Sequence, residues 1–121
     1  MVRIWLLSDF KVSLGQIFIK KDAWRLKKAA ALLKVLPYAP GNRLHREQVM
    51  EMLWPELGRK TASNNLRYTL HAARKILDPA AGSRYLASEG ESLVLCPEDN
   101  LWVDVDAFEE AAAAARRSQG R

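Results

Sequence analysis

Residues 59–77 read RKTASNNLRYTLHAARKIL, with five Lys or Arg residues and no Asp or Glu. Apolar residues recur in this stretch every three or four positions, which is the spacing of one stripe along a helix. The pattern predicts a helix over 59–77 that packs on a core along one side. Its first turn is expected near Thr61 or Ser63, either of which can cap it. The stripe consists of Leu66, Leu70, Ala73 and Leu77.

The polar side of this predicted helix lies roughly opposite the stripe, at about 100° of rotation per residue. Arg and Lys contact phosphate and guanine, and Asn contacts adenine. A helix that only meets solvent usually mixes both charge signs, because pairs four residues apart stabilise it. The polar side therefore favours a polyanionic partner, while a merely solvent-exposed basic face stays open on composition alone. It carries Asn64, Tyr68, His71 and Lys75, with Arg67 and Arg74 along one flank.

The net charge of the 121-residue chain is +5, and its first hundred residues supply the positive excess. Residues 1–100 hold 16 Lys and Arg against 10 Asp and Glu, a net charge of +6, whereas residues 101–121 hold 3 against 4. With 49% apolar residues, the chain can build the core of one ordinary domain. The basic balance indicates a nucleic acid or another polyanion as partner.

Residues suited to catalysis or metal binding are scarce. Cys96 is the only cysteine, which excludes an intrachain disulfide and a cysteine-based zinc site. Asp104 and Asp106 alternate on a segment expected to be extended, with no further ligand near them in the sequence. We interpret them as part of a linker and helix cap. We therefore expect no enzymatic activity, no catalytic residue, no cofactor and no metal site.

The sequence also lacks the apolar runs of secreted and membrane proteins. The run within residues 1–10 is too short for a signal peptide, and no window approaches the ~20 apolar residues of a membrane span. We expect a cytoplasmic protein without a membrane partner.

Strand patterns occupy both ends of the first hundred residues. Alternation with a period of two predicts an antiparallel meander within residues 1–19, with a tight turn at Gly15-Gln16. A short strand is expected at Arg43-Leu44. The runs 85–88 and 92–95 predict a hairpin across Gly90.

Helical spacing and proline positions predict helices over 23–35 and 46–54 ahead of the one over 59–77. The last two helices are joined by a short connection and followed by the hairpin, an order typical of helix-turn-helix proteins. The predicted fold is α+β: a winged helix-turn-helix with an N-terminal antiparallel sheet, a three-helix core and a C-terminal β-hairpin wing. Residues 107–117 predict a further, Ala-rich helix with Asp106 as cap and a thin apolar face.

Six ordered segments carry a family resemblance: LSDFKV at 7–12, residues 25–36 with Lys28 and Leu32-Leu33, LHREQV at 44–49, LWP at 53–55, NLR at 65–67 with Leu70 and ARK at 73–75, and VDVDAFE at 103–109. Together they resemble the OmpR/PhoB-type winged-helix DNA-binding domain, more closely the version that opens SARP-type regulators. There the domain precedes a bacterial transcriptional activator domain. The resemblance implies a DNA-binding domain over 1–100. Residues 101–121 are then the linker and first helix of an activator-type helical domain, in a fragment of a larger regulator or a short stand-alone version.

The resemblance also implies a function: sequence-specific binding of double-stranded DNA by the effector domain of a bacterial transcriptional regulator. Residues 59–77 are then the recognition helix in the major groove, and the connection 56–60 matches a loop that faces RNA polymerase. Binding as two copies on repeated half-sites is implied as well. By position, Arg67, Tyr68 and Ala72 match residues that face bases, and Asn64, Thr69, His71 and Arg74 match residues that touch phosphate.

Charge and helical position add Lys60 and Lys75 to these expected contacts. The sequence departs from the family pattern at two places, the hairpin tip and His45. Family wings bring a basic or aromatic tip to the minor groove, whereas here Glu89 and Glu91 flank the turn and repel phosphate. Arg84 and Tyr85 at the base of the hairpin are expected to contact the DNA backbone instead. His45 stands where the family often has a Ser or Thr cap, and is expected to weaken the second helix slightly.

A second class of function remains open at this point. Helix-turn-helix domains sometimes only dock other proteins, and the basic helix would then meet an acidic surface. In that case tight binding would not require DNA.

Overall fold

The computed structural model describes residues 1–7, 9–77, 84–98 and 101–119 and confirms the predicted α+β class. These residues form four α-helices and two β-sheets. One core cluster gathers side chains from both sheets and from the first three helices. In chain order the elements are β1 Val2–Trp5, β2 Lys11–Leu14, β3 Ile17–Phe18, α1 Lys27–Val35, β4 Arg43–His45, α2 Arg46–Leu53, α3 Arg59–Leu77, β5 Leu86–Glu89, β6 Ser92–Leu95, β7 Leu101–Val103 and α4 Asp104–Gln119.

The first sheet has the strand order β3-β2-β1-β7. The predicted meander is confirmed: β1 pairs antiparallel with β2, with Val2 opposite Leu14, and Gly15 takes a φ of +61° in the turn before β3. The strand β7 is not predicted, because three residues are too few to show a period. It pairs in parallel with β1, with Ile4 opposite Val103.

The segment after β7 differs from the expected extended linker. Helix α4 already begins at Asp104, so the expected cap at Asp106 is wrong. The Asp104 carboxylate accepts hydrogen bonds from the backbone N–H groups of Leu6, at 2.9 Å, and Leu7, at 3.0 Å. Asp104 therefore fastens the start of α4 to the chain that follows β1.

Helices α1 and α2 meet at Lys28. Helix α1 begins at Lys27, four residues later than predicted, because Lys21–Trp24 wind as a separate 3₁₀ turn. The Lys28 Nζ donates to the carbonyl oxygen of Leu53 over 2.5 Å and lies 5.9 Å from the ring centroid of Trp54. This lysine therefore ties α1 to the end of α2.

The start of α2 is capped by His45. Its Nδ1 accepts a hydrogen bond from the N–H of Glu47 at 3.1 Å, and its own backbone N–H donates to Oε1 of Gln48 at 3.0 Å. Side chain and backbone thus exchange bonds as in a capping box. His45 takes the role that Ser or Thr usually has.

The second sheet has the strand order β4-β6-β5 and contains the predicted hairpin. Leu86 lies opposite Leu95, and Glu89 lies opposite Ser92. Gly90 takes a φ of +61° at the tip, a conformation that costs glycine little and other residues more. The short strand expected at residue 43 is β4, which pairs antiparallel with β6.

Helix α4 packs lightly, as its thin apolar face predicts. No side chain of residues 104–117 is buried, and Phe108 is 63% exposed. The helix lies next to β1 and β7 at the edge of the first sheet.

Candidate nucleic-acid interface

The candidate site lies on helix α3, and the apolar side of this helix packs on the core. It spans Arg59–Leu77, the predicted bounds, and so begins before Thr61 and Ser63, the expected caps. The predicted stripe is confirmed, since Leu66, Leu70, Ala73 and Leu77 are all at most 8% exposed. This packing fixes which side of the helix faces outward. Ala62 and Thr69 complete the buried side.

Six exposed side chains occupy the opposite side, called here the α3 face: Lys60, Asn64, Arg67, Tyr68, His71 and Lys75. At about 100° per residue they fall within an arc of about 100°. At about 1.5 Å of rise per residue the face is about 22 Å long. Tyr68 near its middle is 68% exposed. The structure therefore brings six of the ten predicted site residues onto one surface.

The α3 face has no internal partners within the described parts of the chain. None of its six side chains forms a hydrogen bond or an ion pair there. Helix α3 itself contains no acidic residue. Its cations and polar groups are thus available to something outside the chain.

Two predicted contacts are not part of this face. Thr69 is 2% exposed and packs on the buried side, and Ala72 is half-buried at the edge of the face. Position 69 is three residues after Leu66 and four before Ala73, so helical spacing alone could have placed it on the apolar side. The structure does not bring Thr69 together with the other predicted contacts.

Arg74, predicted to touch phosphate, is bonded to the hairpin. Its Nε donates to the carbonyl oxygen of Leu86 at 2.7 Å, and a terminal nitrogen donates to Oγ of Ser88 at 3.0 Å. Burial lowers the pKa of the Arg74 guanidinium from its usual value. Arginine keeps its charge at neutral pH even so. Arg74 therefore joins α3 to β5.

Two arginines hold the acidic hairpin tip, a feature that sequence reasoning missed. Arg43 on β4 forms an ion pair with Glu89 at 2.5 Å, and Arg46 lies 4.0 Å from Glu91. Arg46 also donates to Oγ of Ser63 on α3 at 3.3 Å, and its backbone N–H donates to the carbonyl of Glu91 at 2.8 Å. The tip is thus tied to β4, α2 and α3 at once. The sequence predicts both β4 and the hairpin, but not their pairing, which brings these charges together.

Arg84 and the connection between α2 and α3 complete the set of predicted contacts. Arg84 is exposed, with its guanidinium 5.2 Å from the ring centroid of Tyr85. In the connection, Glu56, Leu57 and Gly58 are exposed, whereas Arg59 and Lys60 already belong to α3. A cleft of about 300 Å³ lies beside it, where Glu47 and Arg59 form an ion pair. Met50, Trp54, Pro55 and Leu57 also line this cleft.

Metal sites and membrane-spanning helices are absent from the described residues. No group of three or more His, Cys, Asp or Glu residues there could hold a metal ion. None of the described helices is both long and apolar enough to cross a membrane. Comparison with known protein families and with curated proteins found no match to this chain.

Proposed function

We propose that this protein binds double-stranded DNA sequence-specifically, as the effector domain of a bacterial transcriptional regulator. The observation that carries the proposal is the α3 face, an exposed surface about 22 Å long on a helix without acidic residues. It combines three cations with an amide, a phenol and an imidazole. Nucleic acids are bound by this mixture, because cations neutralise phosphates and planar polar groups contact base edges.

The dimensions of α3 support major-groove binding. The groove is about 12 Å wide and admits one α-helix, whose diameter with side chains is about 10–12 Å. In the proposed orientation Arg67 and Tyr68 reach base edges, with the Ala72 methyl beside them. Lys60 and Lys75, at the two ends of the face, contact phosphates. Asn64 and His71 add phosphate contacts between the ends.

We further propose that the fold is an OmpR/PhoB-type winged helix-turn-helix of the SARP kind, without catalytic activity and in the cytoplasm. Supporting this, five residues separate α2 from α3, and the β5–β6 hairpin follows α3 and is bonded to it. Residues 1–100 form the DNA-binding domain in this scheme, while 101–121 contribute β7 and then lead into an activator-type domain. The exposed connection at 56–60 is the proposed contact for RNA polymerase.

Two copies on repeated half-sites are part of the same proposal. A single module of this kind buries only about 600–1,000 Å² of protein surface, so it binds modestly on its own. A second copy on an adjacent repeat would supply the remaining affinity.

The test is selection from a random pool of double-stranded DNA with the whole chain, at about 50 and about 200 mM salt. A matched pair of variants, Lys60→Gln/Lys75→Gln and Lys20→Gln/Lys21→Gln, removes the same charge on and off the α3 face. All four lysines are exposed. We expect one enriched motif, or a repeat of it at helical-turn spacing, with affinity lowered by the first variant far more than by the second.

The other outcomes separate the alternatives. Salt-sensitive binding with no enriched motif would overturn sequence-specific recognition. Equal decreases in affinity from both lysine variants would move the binding surface away from α3. A folded chain that binds no DNA would overturn the proposal and favour a module that docks an acidic protein surface.

A further inference from the structure

The β5–β6 hairpin runs along one flank of the α3 face. Ser63 and Arg74 are eleven residues apart on α3, so they project in nearly the same direction, about 20° apart. Arg74 bonds β5 at Leu86 and Ser88, and Ser63 accepts a hydrogen bond from Arg46, which also contacts Glu91 at the tip. A polyanion bound on the α3 face would therefore have the hairpin beside it.

The charges on this flank are already matched inside the chain. Arg43 and Glu89 are each about half exposed, with side-chain exposures of 47% and 44%, and the Arg46 and Glu91 side chains are 36% and 71% exposed. Ion pairs this exposed contribute little to stability, so replacing the glutamates should leave the fold intact. The two arginines are close enough to solvent to bind phosphate, but the two glutamates occupy them.

We propose that Glu89 and Glu91 limit the sequence-independent affinity of the DNA-binding surface. They hold Arg43 and Arg46 on the hairpin, so that these two arginines add no phosphate contact to those of α3. A contact to the phosphate backbone strengthens binding to every sequence equally, whereas base contacts distinguish one sequence from another. Keeping two arginines away from phosphate therefore lowers the affinity for every sequence by the same factor and leaves the choice among sequences to the base contacts of α3. This inference rests on the proposed function.

The expected size of the effect follows from the salt dependence of DNA binding. Each phosphate contact contributes about −0.9 to the slope of log affinity against log salt concentration. If Glu89→Gln/Glu91→Gln releases both arginines onto phosphate, the slope becomes steeper by about 1.8. The decrease in affinity between about 50 and about 200 mM salt then grows roughly tenfold.

The experiment measures binding of the whole chain to a mixed-sequence duplex and to the selected motif across this salt range. The matched control is Glu109→Gln/Glu110→Gln, which makes the same charge change on exposed residues of α4. We expect only the hairpin variant to steepen the salt slope, by the same amount for both duplexes, so that the ratio of specific to non-specific affinity is unchanged. Thermal unfolding of each variant checks that it is folded.

A variant of Arg43 distinguishes two causes of a steeper slope: new phosphate contacts by the released arginines, or the mere loss of glutamate charges that repel phosphate. Among the described residues its side chain bonds only Glu89. Arg43→Gln alone removes no phosphate contact, so the slope stays that of the unmodified protein. Added to Glu89→Gln/Glu91→Gln, it should reverse about half of the increase in slope, about 0.9.

Three results would overturn the inference. The hairpin and α4 variants could behave alike, or Arg43→Gln could leave the increase in slope intact. In both cases DNA binding by α3 would still stand. If the folded, unmodified chain binds no DNA at all, the proposed function itself fails.

Discussion

Helices α3 and α4 are the two longest in the described parts of the chain, with 19 and 16 residues, yet only α3 is held by a core. Helix α3 buries six side chains, three of them leucines, whereas α4 offers Phe108 and alanines and buries none through residue 117. Their charges differ as well: α3 has no acidic residue, while α4 has acids in its first turn and arginines in its last. That arrangement suits the helix dipole. Helix α4 is therefore stabilised within itself, and α3 by what it packs against.

The largest expected effect is on the core side of α3. Leu66→Ala should lower the free energy of unfolding by about 2–5 kcal/mol, because Leu66 is 1% exposed and its removal leaves a cavity. Phe108→Ala on α4 removes a larger side chain that is mostly exposed, and should change stability by less than about 0.5 kcal/mol. Urea unfolding monitored by circular dichroism compares the two. Similar decreases would mean that α4 is buried against something in solution.

The second effect concerns the junction of α3 with the hairpin. Arg74→Ala removes hydrogen bonds to Leu86 and Ser88 and should cost about 1–3 kcal/mol of stability. It should also weaken binding to all DNA sequences alike, because it removes a positive charge beside the α3 face. Lys75→Ala, one residue further and exposed, should alter stability by less than about 0.5 kcal/mol. Unfolding curves that rank the two variants the other way would contradict the role given to Arg74.

The third effect concerns the outward side of α3 and appears in binding, not stability. Arg67→Ala or Tyr68→Ala should change the preference among DNA sequences, by about 1–3 kcal/mol for each base that the side chain no longer reads. Lys60→Ala should weaken binding to all sequences alike and make the salt slope shallower by about 0.9. Repeated selection with each variant measures this. An unchanged motif with both Arg67→Ala and Tyr68→Ala would mean that the helix is turned differently on its partner.

The smallest effect concerns the attachment of α4. Asp104→Ala removes the acceptor for two backbone N–H groups, of Leu6 and Leu7, and should cost about 1 kcal/mol. Asp106→Ala makes the same chemical change at an exposed position two residues on, with almost no effect. Thermal unfolding midpoints of the two variants test this. Equal midpoints would show that Asp104 does not stabilise the attachment of α4.

The elements with strong periodicity are the ones that the sequence predicts well. The α3 stripe, the turn between β2 and β3, and the hairpin around Gly90 all follow from spacing and turn residues within a short stretch of sequence. The exposure of Tyr68 and its neighbours follows too, since it is set by the stripe on the other side. Thr69 is the exception: its family position predicts a phosphate contact, whereas its helical angle places it on the apolar side.

What the sequence does not reveal depends on pairing between distant segments. Strand β7 has three residues and no readable period, and it is a strand only because β1 lies beside it. The ion pairs of Arg43 and Arg46 require β4 to lie next to β6, a register that no local pattern encodes. The bonds of Arg74 to β5 are of the same kind, because its partners lie twelve and fourteen residues away in the sequence.

The parallel pairing of β1 with β7 has a consequence for how the chain is made. Strands β1, β2 and β3 are synthesised well before β7 and can pair with one another at once. The other edge of β1 stays open until Leu101–Val103 leave the ribosome, nearly a hundred residues later. An open strand edge is a template for pairing with another chain, and contacts this distant in sequence form slowly. The vulnerable period for aggregation is therefore the interval between synthesis of the first strand and arrival of the last.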